Sequence, residues 1–203
     1  NMPFQTNRRY LHDRVKESLG LLYATHWPFH QNETARGVRR SPFYDRLVAC
    51  GACHGLGFGW ERPNWYAPAG IDPRYEHSYG RENWFEYSAA EHAAVRENVA
   101  LFDQTSFAKF RLQGRDAEQV LNWVSANDIA VAPGRVVYTQ WLNERGGIEA
   151  DLTVTRLAED DFLIVTSGET EVRDYHWLER QIPDGSHVFL SNVTSAFAVL
   201  SIM

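Results

Sequence analysis

The spacing of apolar residues predicts three helices in the first half of the chain. In residues 8–23 apolar side chains recur at intervals of three or four, which is typical of one helical face. A second helix is predicted to open at Ser41, with a proline in its first turn, and a third at the capping box that begins with Ser88. Residues 51–72 are rich in glycine, proline and tryptophan, a composition that favours an irregular but packed loop.

Alternation of apolar and polar residues dominates the second half of the chain. It predicts strands at 106–113, 135–142, 148–157, 161–166, 187–190 and 196–202, with helices at 116–126 and 170–181. Short turns join the three central strands, so they form an antiparallel meander. Because strands and helices do not alternate regularly, the pattern indicates an α+β fold in which helices flank an antiparallel sheet. A mixed helical and irregular region, residues 1–87, precedes a sheet domain at 88–203.

Composition excludes several classes of function. The net charge of −6 provides no basic face for nucleic acid. No apolar run approaches the roughly 18 residues needed to cross a bilayer, and no signal peptide is visible. The first residues do not resemble a natural start, and the last apolar strand stops without a turn. We therefore expect the chain to be part of a longer protein, and we expect it to be poorly soluble or associated when made alone.

The two cysteines form a Cys-x-x-Cys-His motif from Cys50 to His54. This spacing matches the attachment signal for c-type haem, and it also permits a redox dithiol or a metal pair. However, the pattern fixes only three positions, and no further ligands with metal spacing accompany it. We therefore predict structural thiols packed in the aromatic segment, with neither metal nor haem.

A carboxylate lies inside the second strand of the meander, where aspartate is disfavoured. By strand alternation Glu149, Asp151 and Thr153 share one face, and the apolar residues between them share the other. The two carboxylates are then about 7 Å apart, and in a partly enclosed site their repulsion would raise the proton affinity of one of them. Asp151 is therefore a candidate general base. The alternative is a solvated strand face with an arginine opposite.

Longer motifs resemble a known family of enzymes over essentially the whole chain. The family is that of the flavin-linked sarcosine and dimethylglycine dehydrogenases, and the second half of the chain also resembles the glycine cleavage T-protein. The residues that carry the resemblance are GWERPNW from Gly59, GRENW from Gly80, SFAKF from Ser106, AND from Ala126 and YTQWLNERGGIEADLTVTR from Tyr138.

The resemblance implies that two domains catalyse two successive steps. A flavin domain, with FAD bound outside these residues, would oxidise an N-methyl group to an iminium. A folate domain would then capture the carbon on tetrahydrofolate as 5,10-methylenetetrahydrofolate. Residues 1–87 would connect the domains, and 88–203 would be the first part of the folate domain, with an incomplete pocket. The implied partners are an N-methylated amine, folate and the flavin domain of the same protein, in bacterial cytoplasm or the mitochondrial matrix.

The resemblance also assigns site residues. Asp151 corresponds to the family's folate-site aspartate, held near N10 as proton acceptor or electrostatic stabiliser. Tyr138 corresponds to the pocket wall, and Ser167 lies where T-proteins often carry an asparagine that contacts the pterin. No metal ligand is implied. A different class of function is also open, in which these residues form a non-catalytic connector between flavin and folate domains.

Overall fold

The structure, a computed structural model, describes residues 2–203 and confirms the α+β class. Its elements in chain order are α1 (Arg8–Gly20), α2 (Tyr44–Ala49), β1 (Ala52–Gly57), β2 (Trp60–Tyr66), α3 (Phe85–Glu97), β3 (Leu101–Asp103), β4 (Ala108–Gln113), α4 (Ala117–Val124), β5 (Val136–Leu142), β6 (Ile148–Ala158), β7 (Asp161–Thr166), α5 (Glu171–Gln181), β8 (Phe189–Asn192) and β9 (Leu200–Ile202). They form two compact units. One runs through Gln104 and takes in Ala198–Met203, and the other spans Thr105–Phe197. No helix among the described residues is long and apolar enough to cross a membrane.

The segment predicted as irregular loop is instead a β-hairpin, so that prediction is wrong. Strands β1 and β2 pair antiparallel through a two-residue turn in which Phe58 and Gly59 both have positive φ. Such a turn matches the twist of the flanking strands. The glycines serve close packing, since a Cβ at Gly55 would come within 2.1 Å of the Asn64 side chain. Trp65 is buried and stacks on Tyr87 at 5.6 Å.

Several predicted element ends also differ from the structure. Helix α2 begins at Tyr44, so Ser41 and Pro42 lie in the turn before it. Helix α3 starts at Phe85, before Ser88, because the Ser88 N–H already donates to the Trp84 carbonyl in a helical turn. Glu91 does not close a capping box, since its carboxylate accepts from the Tyr66 N–H at 3.1 Å. The last strand is shorter than predicted: β9 follows a 3₁₀ turn and pairs antiparallel with β3.

Helix α1 forms where the sequence predicts a helix, but its apolar side chains are exposed instead of buried. The stripe residues Leu11, Val15 and Leu19 are 45–61% exposed, and Leu22, in the turn after the helix, is 61% exposed. The helix is held by its polar side instead, where the Glu17 carboxylate accepts from the backbone N–H groups of Glu33 and Thr34 at 2.6 and 3.2 Å. Burial opposes ionisation of Glu17, but these bonds and that from the Thr34 hydroxyl outweigh it and lower the pKa.

A buried ion pair holds the loop before α2 to the hairpin. Glu61 on β2 is buried, and its carboxylate receives the Arg36 guanidinium in a fork. The Gly37 N–H also donates to this carboxylate. Arg36 further donates to the carbonyls of Asn32 and His54 at 3.1 and 3.0 Å. Burial alone would raise the pKa of Glu61, but these partners hold it below the usual 4.5.

The second unit is a five-stranded antiparallel sheet with strand order β5-β6-β7-β4-β8. It contains the predicted meander, which is thereby confirmed. One face of the sheet packs against α4 and α5 in the core of this unit. The core includes Phe110, Val120, Leu121, Trp141, Leu152, Val154, Phe162, Ile164 and Leu178. The other face carries the polar residues of β5 and β6.

We predict that removing the Glu61 charge costs stability in a pH-dependent way. The folded pKa of Glu61 is depressed, so the stabilisation is complete above about pH 4.5 and is lost as pH falls through the folded value. Glu61 is buried but its partner Arg36 is 32% exposed, so breaking the pair costs about 1–3 kcal/mol. At pH 7, chemical denaturation followed by tryptophan fluorescence should show Glu61→Gln destabilised by about this amount, and the difference from wild type should shrink in acid.

Glu76→Gln is the matched control, because Glu76 and its partner Arg74 are both largely exposed. An exposed pair contributes about 1 kcal/mol or less. An equal loss for Glu61→Gln at pH 7 and pH 3 would show that the charge of Glu61 does not stabilise the unit.

Candidate functional site

The candidate site lies on the open face of the five-stranded sheet. In the β5–β6 ladder Gln140 lies opposite Asp151, and Tyr138 lies opposite Thr153. Residues two apart along a strand point to the same side, so these four side chains share one face. Their neighbours Leu152 and Val154 are buried on the helical side. The strand alternation predicted from the sequence is therefore correct, and Asp151 is exposed on the open face.

Two side chains of β5 contact the Asp151 carboxylate. Interaction of the Tyr138 hydroxyl with this carboxylate is the main reason that the pKa of Tyr138 is raised, with desolvation and the negative charge of Asp151 adding to it. Gln140 donates its Nε2–H to Oδ1 of Asp151 at 3.5 Å. The structure thus brings together Asp151 and Tyr138, two residues that the sequence had singled out separately.

Ser167 lies at the same end of the sheet, directly after β7. The β6–β7 ladder pairs Thr153 with Val165, and two residues further along each strand Asp151 and Ser167 fall at the corresponding position. The Ser167 hydroxyl accepts from the Glu169 N–H at 3.2 Å. Next to it, a Cβ at Gly168 would come within 2.1 Å of the Ser106 carbonyl oxygen, so only glycine fits there.

Both the side chain and the backbone carbonyl of Glu149 accept hydrogen bonds beside the β5–β6 turn. Its carboxylate accepts from the Asn143 Nδ2–H at 2.9 Å, and its backbone carbonyl accepts from the Arg173 guanidinium. The alternative for this strand face was an arginine opposite the carboxylates. Arg156 is not such a partner, because it forms a salt bridge with Glu118 at 2.6 Å. The side chains that interact with the Asp151 carboxylate are thus Gln140, through a hydrogen bond, and Tyr138, whose pKa it raises.

Sequence reasoning missed two residues beneath the site. Asp174, in the first turn of α5, is buried and accepts from the hydroxyls of Thr166 and Thr170 at 2.7 and 2.6 Å. Arg173 donates to Oδ1 of Asp174 at 3.1 Å. An acidic residue in a first helical turn is common, because it complements the helix dipole. The spacing of Thr170 and Asp174 therefore gave no distinctive signal.

A cavity of about 610 Å³ lies elsewhere in this unit, between α4, α5 and the β5–β6 turn. It is lined by residues that include Trp123, Leu142, Arg145 and Trp177. None of the three predicted site residues lines it. The open sheet face and this cavity are thus two separate places at which a ligand can be sought.

The Cys-x-x-Cys-His segment places its two thiols in different environments. Cys50 is exposed at the end of α2, and Cys53 is buried on β1 against Trp65. Burial raises the pKa of the Cys53 thiol. Burial also lowers the pKa of His54, whose ring packs on Tyr44 at 4.5 Å. Within residues 2–203, no group of three His, Cys, Asp or Glu side chains is placed to hold a metal ion.

Comparison with known proteins identifies two family profiles in the chain. Residues 43–203 match the profile described as GCVT N-terminal domain, and residues 2–41 match that described as FAD dependent oxidoreductase central domain. In a solved aminomethyltransferase T of the glycine cleavage system from Bartonella henselae, the matching region is 25% identical with a TM-score of 0.62. This match covers 81% of this chain and 40% of that one.

Three curated relatives match nearly the whole chain. The chain is 48% identical over 199 residues to 4-methylaminobutanoate oxidase (formaldehyde-forming) from Paenarthrobacter nicotinovorans, covering 98% of this chain and 24% of the relative. It is 32% identical over 204 residues to the mitochondrial pyruvate dehydrogenase phosphatase regulatory subunit from Mus musculus, covering 98% and 23%. It is 31% identical over 201 residues to human mitochondrial dimethylglycine dehydrogenase, covering 97% and 23%. The chain thus spans about a quarter of these relatives, and the resemblance drawn from its motifs is confirmed.

We predict that the two thiols react at very different rates. An exposed thiol ionises more readily than a buried one, and the thiolate is the reactive form. Iodoacetamide at pH 8 should modify Cys50 first, with Cys53 modified only on unfolding. Peptide mass spectrometry after timed labelling would measure both rates, with urea-unfolded protein as the reference. Equal labelling of both cysteines in the folded protein, or stoichiometric zinc or iron by elemental analysis, would contradict the assignment of Cys53 as a packed structural thiol.

Proposed function

We propose, because the chain belongs to the GCVT N-terminal domain family, that its open sheet face forms part of a tetrahydrofolate site. In the full-length protein, a flavoenzyme part would oxidise an N-methylated amine, and this site would transfer the resulting carbon to tetrahydrofolate. The product would be 5,10-methylenetetrahydrofolate. The division into a connecting region at 1–87 and a folate domain from 88 onward is part of the same proposal.

The observation that carries the proposal is the placement of Asp151. Its carboxylate is open to a ligand, yet it is attached to a strand that is paired with β5, where the backbone fixes its position better than a loop would. Tyr138 and Gln140 lie beside it on the neighbouring strand. Nothing in the described residues blocks this carboxylate from the solvent side, since Asp151 and Tyr138 are both exposed.

In this proposal the Asp151 carboxylate transfers protons during the reaction. The iminium carbon forms bonds to N5 and N10 of tetrahydrofolate, and each of these nitrogens loses its proton. The amine must leave as the second bond forms, and it needs a proton to do so. A carboxylate beside N10 accepts one of these protons from the folate and returns it to the departing amine, which is general acid–base catalysis, and the other proton is released to solvent. In this proposal Tyr138 orients Asp151 by its hydrogen bond, and Ser167 offers a hydroxyl to the pterin.

FAD would supply the oxidation of the amine when it is bound elsewhere in the full-length protein. Residues 2–203 contain no Gly-x-Gly-x-x-Gly segment of the kind that cradles a dinucleotide phosphate. No step of the oxidation is therefore assigned to them.

A second candidate function is non-catalytic. One relative that matches 98% of this chain is named a regulatory subunit. These residues would then connect or regulate neighbouring domains without transferring carbon. Folate binding separates the two candidates, because a purely structural connector has no reason to bind tetrahydrofolate through Asp151.

We predict that Asp151→Asn in the full-length protein abolishes most of the carbon transfer and leaves the oxidation intact. The amide keeps the shape but cannot act as a base, and loss of a general base typically costs about 10²–10⁴-fold. Formation of 5,10-methylenetetrahydrofolate should fall by this factor, while amine oxidation continues and the carbon appears as formaldehyde. Both products can be measured in one assay with saturating folate.

Glu159→Gln is the matched control, since it removes a carboxylate from the exposed β6–β7 turn at the far end of β6. It should leave both rates unchanged. If Asp151→Asn formed methylenetetrahydrofolate at the wild-type rate, Asp151 would be only a strand residue and the proposed site would be wrong.

A further inference from the structure

We propose that Arg173 and Asp174 are positioning residues of the folate site, which set the distance between Asp151 and Ser167. This inference rests on the proposed function, because it concerns the same site. It arises from one feature of the sheet: the site lies where the pairing between its two strands has already ended.

The gap is visible in the strand register. Strands β6 and β7 pair from Ala158 and Asp161 as far as Thr153 and Val165, and no ladder pair is formed beyond. Asp151 therefore pairs with β5 through Gln140 but has no backbone partner on the β7 side. Backbone ladders normally fix the spacing of neighbouring strands. At the candidate site, the spacing between β6 and the end of β7 must be fixed by side chains instead.

Asp174 anchors the β7 side of this gap. Its carboxylate is 1% exposed, and it accepts from Thr166 at the end of β7 and from Thr170 just before α5. A buried carboxylate is costly unless it is fully hydrogen-bonded. Its bonds to Thr166 and Thr170 therefore hold the segment between them, which includes Ser167, in one conformation.

Arg173 crosses the gap to β6. Its guanidinium donates to Oδ1 of Asp174 and to the backbone carbonyl of Glu149, two residues before Asp151. The planar guanidinium presents its donors in a rigid fork, so the two acceptors are held at a fixed separation. The Arg173 side chain remains 56% exposed. Arg173 therefore contributes little to the core, and replacing it tests its hydrogen bonds to Asp174 and Glu149 more than it tests packing.

The result is a continuous link from Glu149 through Arg173 and Asp174 to Thr166. The first of these is two residues from Asp151, and the last is adjacent to Ser167. A ligand that contacts both Asp151 and Ser167 meets a preorganised site only if this link is intact. Looser spacing raises the cost of ordering the two strand ends when the ligand binds.

The test uses Arg173→Gln and Arg173→Lys in the full-length protein, with tetrahydrofolate as the probe. Arg173→Gln should raise the KM for tetrahydrofolate about tenfold and increase the fraction of carbon released as formaldehyde. The KM for the amine and the rate of its oxidation should stay at wild-type values. Arg173→Lys should recover only part of the loss, because an ammonium lacks the planar fork.

Arg180→Gln is the matched control, since it removes an exposed arginine from the last turn of the same helix. It should change none of these values. All rates are to be compared well below the melting temperature of each variant, so that partial unfolding does not enter. Amide hydrogen exchange in the full-length protein provides a second readout: the peptides that contain Asp151 and Ser167 should exchange faster in Arg173→Gln, while those of β8 remain unchanged.

The outcomes separate this inference from the function on which it rests. If wild type does not transfer carbon to folate, or if Asp151→Asn transfers it normally, the proposed function fails. If Asp151→Asn is impaired but Arg173→Gln has the wild-type KM for tetrahydrofolate, only the positioning role is overturned. A loss in Arg173→Gln that affects amine oxidation as much as folate would equally overturn it, because it would indicate a general structural role.

Discussion

The alternation of side chains along β6 is the constraint on which both the core and the candidate site depend. Leu152 and Val154 are buried against the helices of their unit, and this burial turns the residues between them to the opposite face. A slip of one residue in the pairing would exchange the two faces. Burying these side chains contributes roughly 1.5–3 kcal/mol each. The hydrophobic core therefore dictates where the Asp151 carboxylate points, before any hydrogen bond to it is considered.

This arrangement explains how an open face of the sheet can still hold a candidate base in place. Asp151 is exposed, but its Cα belongs to a strand paired on one side with β5. On the other side the ladder has ended, and the contacts of α5 take over from the backbone. Backbone pairing with β5 thus fixes one side of the candidate site, and side-chain contacts from α5 lie on the other. A ligand that enters between them needs no rearrangement of the sheet itself.

The sequence contained enough to predict one side of this site. The meander and the direction of Asp151 follow from strict alternation over three strands joined by short turns. The position of Ser167 relative to Asp151 could not be predicted, since it depends on the register between β6 and β7. The roles of Arg173 and Asp174 also depend on contacts between elements distant in sequence. They resemble ordinary charged residues of a first helical turn.

The first unit shows where periodicity misleads. The spacing of Leu11, Val15 and Leu19 correctly predicts a helix, but periodicity alone does not say that the apolar side is the buried one. Here Glu17 and its hydrogen bonds hold the other side, and the stripe is exposed. In the glycine-rich hairpin, composition suggested an irregular packed loop because glycine and proline are depleted in strands. The glycines instead allow close packing against side chains such as Asn64.

Mapping the folate contact surface in the full-length protein tests the central claim most directly. Amide hydrogen exchange can be followed by mass spectrometry with and without tetrahydrofolate under reducing conditions. The account predicts saturable protection that clusters in the peptides containing Tyr138, Gln140, Asp151, Thr153 and Ser167, on the open face of the sheet. Protection that clusters instead around Trp123 and Trp177 in the cavity beside α4, or no protection of the open face at all, would contradict it.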